Sequence, residues 1–500
     1  MADRGLRLLP FLVFTVGAAS LGAEIAAARL LAPYFGASTI VWANTIGVVL
    51  VALSIGYWLG GRFADRHPHL RGLCTLALVS AGLLALVPFL ARPFLRFSVD
   101  AFEELSAFTF LGSLFGVLTL VAVPVVLLGA CAPYAIRLAV RDVSHSGEVA
   151  GRLYAISTAG SLLGTMSAAL LLIPFLGTQR TFLVFAAALA LVAVAGLGWR
   201  FAAAPAVLVA ATLLPIGTVK ATDEGEVLFE AETEHQYVRV VEQPEGDRVL
   251  ELNEGQAVHS LYRPDSYLTE DYWDGFLTFP FAVLNRPPAR VAMLGNAAGT
   301  VARAYGHYFP ATAIDGVEID GELAELGRRF FDLRNPRLVT YSEDARPFLD
   351  RSDGGYEAIF VDTYRQPYIP FYLATKEFFD LARDRLAPGG VVVVNVGHPK
   401  RSDELETVLG RTMAEAFPVV LRDPIEQTNT LLLASEAPGS AARLRAAAAE
   451  LPPDIADLAR RRASFLGPRL PGGNVYTDDR APVEWLVDRT LLGYARDEGD

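Results

Sequence analysis

Long apolar runs fill the first part of the chain and short alternating ones the second. The long runs lie at about 8–32, 40–61, 73–91, 108–136, 153–176, 181–199 and 201–217. Crossing roughly 30 Å of hydrocarbon takes about 20 apolar residues in a helix, and six of the runs approach or exceed that length. The seventh, FAAAPAVLVAATLLPIG, is shorter and carries Pro205 and Pro215. The pattern therefore predicts an α-helical transmembrane bundle of six or seven spans. The first run is too long for a cleavable signal peptide and is followed at once by more spans.

Past Lys220 the period changes. The stretch VLFEAETEHQYVRVVEQPEGDRVLELNEGQAVHS holds short β-rich runs with EQPEGDR as a turn. From Arg290 strands alternate with helices: strand 291–295, helix 299–308, strand 313–319, helix 321–332, strand 337–341, strand 357–362, helix 373–387 and strand 391–396. Such alternation predicts a parallel sheet covered by helices on both faces. LAPGG at 386–390 is expected to stop a helix ahead of the buried strand VVVVNV. A helix at about 402–415 leads to two antiparallel strands near 417–422 and 428–434. Residues 439–465 are Ala/Arg-rich and helical in character, and VYTDDRAPVEWLVDRTLL is expected to pack back onto the sheet.

Composition divides at the same boundary. The chain is 52% hydrophobic and only 20% charged, too apolar for an ordinary soluble enzyme. Residues 1–220 hold 14 Lys+Arg against 8 Asp+Glu, about +6, which leaves 29 and 47, about −18, for residues 221–500. An acidic half repels phosphate backbones, so no nucleic-acid partner is expected. Arg4 and Arg7, then Arg62, Arg66 and Arg71, then Arg137, Arg141 and Arg152 fall in alternate loops. By the positive-inside rule the N-terminus is cytoplasmic. Seven spans would put residues 221–500 outside, and six would keep them inside.

Within the spans, Glu24 is an ionisable group in an apolar run, which hints at function; a pair with Arg29 is the structural alternative. The spacings Gly56/Gly60 and Gly160/Gly164 suit close helix packing. GGRFADRHPHLRG is similar to a cytoplasmic loop of major-facilitator transporters. Cys74 and Cys131 both sit in apolar runs, and neither disulfide nor CxxC metal chemistry is expected.

Ligands of parallel sheets bind at the carboxyl ends of the strands. Four successive strand ends here carry glycine or an acid: Gly295, Glu318, Asp344 and Asp362. Gly295 and Gly299 permit a tight turn and close approach of backbone to ligand. Glu318, some 23 positions after Gly295, is placed to accept both ribose hydroxyls. Asp344 suits an adenine amino group, with Ala345 leaving room beside the ring. No GxxxxGK[ST] is present for a triphosphate. The pattern predicts a site for a nucleoside without phosphates.

These residues resemble the spermidine synthase (polyamine aminopropyltransferase) family over residues 228–435 or so, and the N-terminal half looks like the membrane segment of its multi-pass bacterial relatives. ETEHQYVRVVEQPEGDRVLELNEGQ is similar to the family's opening β region, GVEID to its ribose-binding motif, SEDARPFL to its adenine motif and FVDT to the strand of its catalytic aspartate. The resemblance implies a Rossmann-like, methyltransferase-type domain. It implies a site for decarboxylated S-adenosylmethionine or its thioether product at Gln236, Gly295, Gly299, Glu318, Asp344, Ala345 and Pro370. Asp362 would be the base, although capping of the following loop is an alternative role. Gln256, Tyr272, Trp273 and Gln366 would meet the amine acceptor; the two aromatics would equally suit a core. Dimers are also implied.

Departures from the family are concrete. Its glycine-rich loop is GNAAG, with Ala298 in place of an aspartate; its Tyr-His-Glu is Tyr272-Trp273-Asp274; its acidic loop is DTYRQP, with Arg365 added. Two carboxylates are lost and a guanidinium gained, which argues against ordinary putrescine chemistry. The expected organisation is a transmembrane domain at 1–220, a small β region at 221–265, a catalytic domain at 266–440 and a C-terminal helical segment at 441–500. The expected function is a transferase anchored in the inner cell membrane that moves an aminopropyl group to a small amine. Alternatives are a methyltransferase using intact S-adenosylmethionine and a non-catalytic nucleoside-sensing module on a transporter-like bundle. No metal is expected.

Overall fold

The structure is a computed structural model that describes residues 2–35, 39–102, 108–140, 142–213, 225–253, 258–364, 369–398, 400, 402–483 and 486. Gln256, Arg365 and Gln366 fall outside these residues. Two compact units are present, Met1–Ala221 and Thr222–Asp500.

The first unit is all-helical among its described residues. Six helices are long and apolar enough to cross a membrane by length and composition: Arg7–Ala32, Val41–Arg66, Leu70–Ala91, Ala122–Ala139, Val143–Leu176 and Thr178–Leu197. The apolar run at 108–136 is two helices, Phe108–Leu120 and Ala122–Ala139, broken at Val121. Pro124 explains the break, because it has no N–H to give the Leu120 carbonyl. Among its described residues the run proposed as a seventh span holds the short helix Ala203–Ala211, which Gly198 at φ +102 separates from its predecessor. The small-residue spacings are packing devices. A Cβ on Gly56 or Gly60 would overlap the backbone at Val126 or Ala130, and one on Gly160 or Gly164 the backbone at Phe14 or Ala18. Glu24 is half-buried on the first helix.

The second unit opens with an antiparallel meander, β1 (Glu226–Glu232), β2 (Tyr237–Glu242), β3 (Arg248–Leu252) and β4 (Val258–Tyr262). It continues with an eight-stranded sheet: β5 (Arg290–Leu294), β6 (Ala313–Glu318), β7 (Leu338–Ser342), β8 (Tyr356–Val361), β9 (Leu386–Gly397), β10 (Val419–Asp423), β11 (Asn429–Ser435) and β12 (Gly467–Pro468). Their order is β12-β10-β11-β9-β8-β5-β6-β7. The five strands from β5 to β9 are parallel, and β11 and β10 join antiparallel beyond β9.

Alternate residues of the central strands feed two cores. Ala292, Leu294, Ile359, Val361, Val392 and Val394 face Phe348, Phe378 and Leu409. Val291, Met293, Phe360, Val391 and Val393 face Trp273, Phe276 and Tyr305. That two-sided burial is why the strands are apolar runs rather than alternating ones. Helices Ala441–Ala447 and Pro453–Arg462 cover the second core through Leu444, Ile455 and Ala459, and Tyr476 and Val483 return to the first.

Two local expectations are corrected. The helix expected at 373–387 spans Lys376–Arg385, because Thr375 caps it by accepting from the Phe378 amide at 3.4 Å. LAPGG does end the helix, with Leu386 as its extended C-cap, but it also starts β9, where Leu386 pairs with Tyr356 and a register shift absorbs the Pro-Gly-Gly. A short helix, Ala345–Arg351, was not foreseen.

Candidate active site

The strand order reverses between β5 and β8: β6 and β7 extend the sheet one way and β8 and β9 the other. A crevice opens at such a switch point, at the carboxyl ends of the strands. Gly295 and Asp362 end these two neighbours, and the Asp362 amide donates to the Leu294 carbonyl at 2.8 Å. Gly295 has φ +85, and a Cβ there would overlap the Asp362 carbonyl. Glycine is required on both counts. Gly299, at φ +89, caps the helix Thr300–Tyr308. The loop between them is tied to the meander: the Ala298 amide donates to Ser260 Oγ at 3.0 Å. The Ala298 methyl is fully buried among Val238, Leu250 and Leu323.

Glu318 ends β6 across this loop. Its carboxylate accepts from the Ala297 amide at 3.0 Å and from the Asp320 amide at 3.1 Å. Burial pushes its carboxyl up to about 7, against the lowering pull of those amides. Asp320 caps the helix Gly321–Phe330 and accepts from Thr233 Oγ1 at 2.6 Å and Gln236 Nε2 at 3.3 Å. Gln236 thus reaches the site through Asp320.

Asp344, past the end of β7, caps the helix Ala345–Arg351 by accepting from the Arg346 amide at 3.0 Å, and Tyr372 Oη donates to it at 2.5 Å. Ala345 is buried against the first core. Pro370 begins the turn Phe371–Leu373 that carries Tyr372. Arg346 in turn donates to both oxygens of Asp478 at 2.7 and 2.6 Å, and Thr375 Oγ1 donates to Asp478 at 2.7 Å.

Asp362 follows the end of β8 and is held by three donors. Asn395 Nδ2 donates to it at 2.9 Å and Tyr272 Oη at 3.2 Å, and Trp273 adds a further hydrogen bond. Burial pushes its carboxyl up to about 6, and those three donors oppose the rise. Tyr272 and Trp273 stand on a 3-10 turn whose start is capped by Asp271. Trp273 is both core and site: its ring lies in the second core and its N–H serves Asp362. Asp274 faces away, accepting from the Thr269 amide and hydroxyl and the Glu270 amide at 2.8 to 2.9 Å. Behind Tyr272, burial and the neighbouring Asp271 together push the Glu426 carboxyl up to about 8.

Four residues of this network carry no motif: Asn395, Asn429, Tyr364 and Tyr372. Asn395 had a visible signal, as the one polar residue in VVVVNV. Tyr364 Oη donates to the Asn395 carbonyl at 3.0 Å and accepts from the Gly397 amide at 2.6 Å. Among the described residues no cluster of three His, Cys, Asp or Glu could hold a metal. An anionic crevice with two carboxyls raised by burial, Asp362 and Glu318, suits binding a cation and accepting a proton beside it.

Comparison with known proteins matches residues 279–426 to the spermine/spermidine synthase domain family. The chain is 34% identical over 222 residues to a probable polyamine aminopropyl transferase of Bifidobacterium longum, covering 43% of this chain and 48% of that protein. It is 27% identical over 177 residues to a polyamine aminopropyltransferase of Vibrio vulnificus, covering 33% and 58%. It therefore spans about half the length of the curated relatives it matches. A crystal structure of a probable spermidine synthase from Corynebacterium glutamicum aligns at 20% identity and a TM-score of 0.41, over 52% of this chain and 99% of that one.

Proposed function

We propose that the chain, whose residues 279–426 match the spermine/spermidine synthase domain family, transfers an aminopropyl group from decarboxylated S-adenosylmethionine to an amine. The acceptor nitrogen attacks the methylene carbon bonded to the sulfonium, the C–S bond breaks, and its electron pair leaves on sulfur as a neutral thioether. An amine is an ammonium at neutral pH, so a base must first take its proton. Asp362 takes that role, and the carboxylate also draws the nitrogen into line with carbon and sulfur. Glu318 accepts the ribose hydroxyls, and Asp344 with Ala345 receives the adenine.

The observation that carries this reading is the Asp362 carboxylate, buried at the switch point beside the Gly295 turn and served only by donors. Such a group is ionised at neutral pH yet basic enough to accept a proton. Incubating the purified protein with decarboxylated S-adenosylmethionine and a panel of amines tests it. Thioether release that depends on amine and is lost in Asp362→Asn supports the reading; no release with any amine sinks it.

A second reading, methyl transfer from intact S-adenosylmethionine, draws on position 298. Alanine buried in an apolar cluster offers no carboxylate to the donor's ammonium. Calorimetric titration separates the two: tighter binding of the decarboxylated nucleoside favours aminopropyl transfer, and tighter binding of the intact one favours methyl transfer. Binding of both without turnover leaves a sensing module.

The six apolar helices are taken as membrane spans. With a cytoplasmic N-terminus, an even number of spans keeps residues 222–500 in the cytoplasm, where such a nucleoside is made.

A further inference from the structure

We propose that Asn429, acting through Asn395, fixes the orientation of the Asp362 carboxylate, so that Asn429 is a positioning residue for the proton transfer. The inference rests on the reaction proposed above. Asn395 is 2% exposed near the C-terminal end of β9. Its Nδ2 donates to Asp362 Oδ1 at 2.9 Å, and its Oδ1 accepts from Asn429 Nδ2 at 3.0 Å. Asn429 Oδ1 accepts from Thr428 Oγ1 at 3.1 Å. Asn429 begins β11, the antiparallel neighbour of β9, opposite Gly397.

The direction of this chain is forced by charge. An ionised carboxylate only accepts, so the Asn395 amide must turn its nitrogen toward Asp362 and its oxygen away. Nitrogen and oxygen ends of an amide have nearly the same shape, so packing does not choose between them. The Asp362 carboxylate on one side and the Asn429 donor on the other choose together. Asn429 offers that oxygen a donor, and the Thr428 hydroxyl keeps Asn429 turned the right way. Without the Asn429 donor, the Asn395 oxygen loses that partner and the amide is held from the Asp362 side alone, so the carboxylate it serves is less firmly oriented.

The other groups facing Asp362 do not supply this selection. Tyr272 and Trp273 come from the 3-10 turn at 272–274, and neither touches Asn395 in the network above. The Tyr364 phenol is engaged with backbone at Asn395 and Gly397. Burial raises both phenols, so they stay neutral between pH 5 and 8. Glu318 stands across the Gly295 turn, and Asp271 and Glu426 stand behind Tyr272.

The test compares Asn429→Leu, which fits the space but cannot donate, with Asn429→Ser, which keeps a hydroxyl donor, and with Asn395→Leu. Thermal unfolding first confirms that each is folded. Two quantities are then read: kcat and KM against pH, and the pH dependence of Trp273 fluorescence, taken as full-length protein minus Trp273→Phe. The second reports Asp362 protonation without turnover. Asn429→Leu should lower kcat about tenfold at nearly unchanged KM, shift both the acid limb and the fluorescence midpoint to higher pH, and be partly restored in Asn429→Ser. If Asn429→Leu leaves both quantities at wild-type values while Asn395→Leu moves them, Asn395 acts alone and the relay is wrong. If the wild type transfers no aminopropyl group, the reaction reading fails by itself. The fluorescence midpoint of Asn429→Leu then still decides the relay.

Discussion

Two carboxyls lifted above their ordinary range set how the site responds to acid. Asp362, raised to about 6, is a base only when ionised. The rate of aminopropyl transfer, kcat/KM, should therefore fall about tenfold per pH unit below 6 and level off above it. Asp362→Asn should remove that limb and lower kcat by at least about 100-fold while sparing nucleoside affinity, as initial rates and calorimetry would show. Glu318, raised to about 7, accepts hydroxyl donors only as a carboxylate. Nucleoside affinity should weaken as pH falls through 7, and Glu318→Ala should cost more than about tenfold at pH 8. Normal binding by that variant would move the ribose elsewhere. For folding the sign runs the other way. Both folded values lie above the unfolded ones, about 4. Their contribution to stability is therefore present below that value and lost as pH rises through 6 to 7. Asp362→Asn should gain melting temperature over the wild type at pH 8 but not at pH 4.5.

At the scale of elements, the turn after β5 is the part least free to change. Gly295→Ala would place a methyl against the Asp362 carbonyl in a left-handed conformation. It should destabilise the protein by about 1–3 kcal/mol in denaturant unfolding and pull Asp362 off its donors. This corner was legible in the sequence, as were the strands feeding it, because runs buried on both faces are apolar throughout and end where polar residues begin. The acids at 318, 344 and 362 were found by that logic alone. Asn395 to Asn429 was not, since it joins strands that become neighbours only through the β11 reversal. Nor was Tyr372 on Asp344, set by a one-turn helix with no period to detect. The helix at 345–351 is too short for its face to repeat, and a proline-glycine run that ends one helix also sits inside β9 as a bulge.

For the whole molecule, the distribution of charge and the number of long helices point the same way. About +6 in residues 1–220 and −18 in the rest fit the proposal that the first unit lies in a membrane with anionic lipid. A reporter fused after Asp500 should read cytoplasmic; a reading from the far side would separate the catalytic unit from its cosubstrate. In the bundle, Gly160→Leu should lower the melting temperature in detergent, because its side chain would meet the Phe14 backbone. The order in which the chain is made has a consequence of its own. Asp478, the partner that grips Arg346 beneath the Asp344 cap, follows it by 132 positions. On the proposed reading of Asp344 as the adenine end, a ribosome must deliver all of those residues before that end is clasped. A premature stop or proteolytic cut before Tyr476 would remove Asp478 and with it the Arg346 pair, and should weaken nucleoside binding in a titration of the truncated protein.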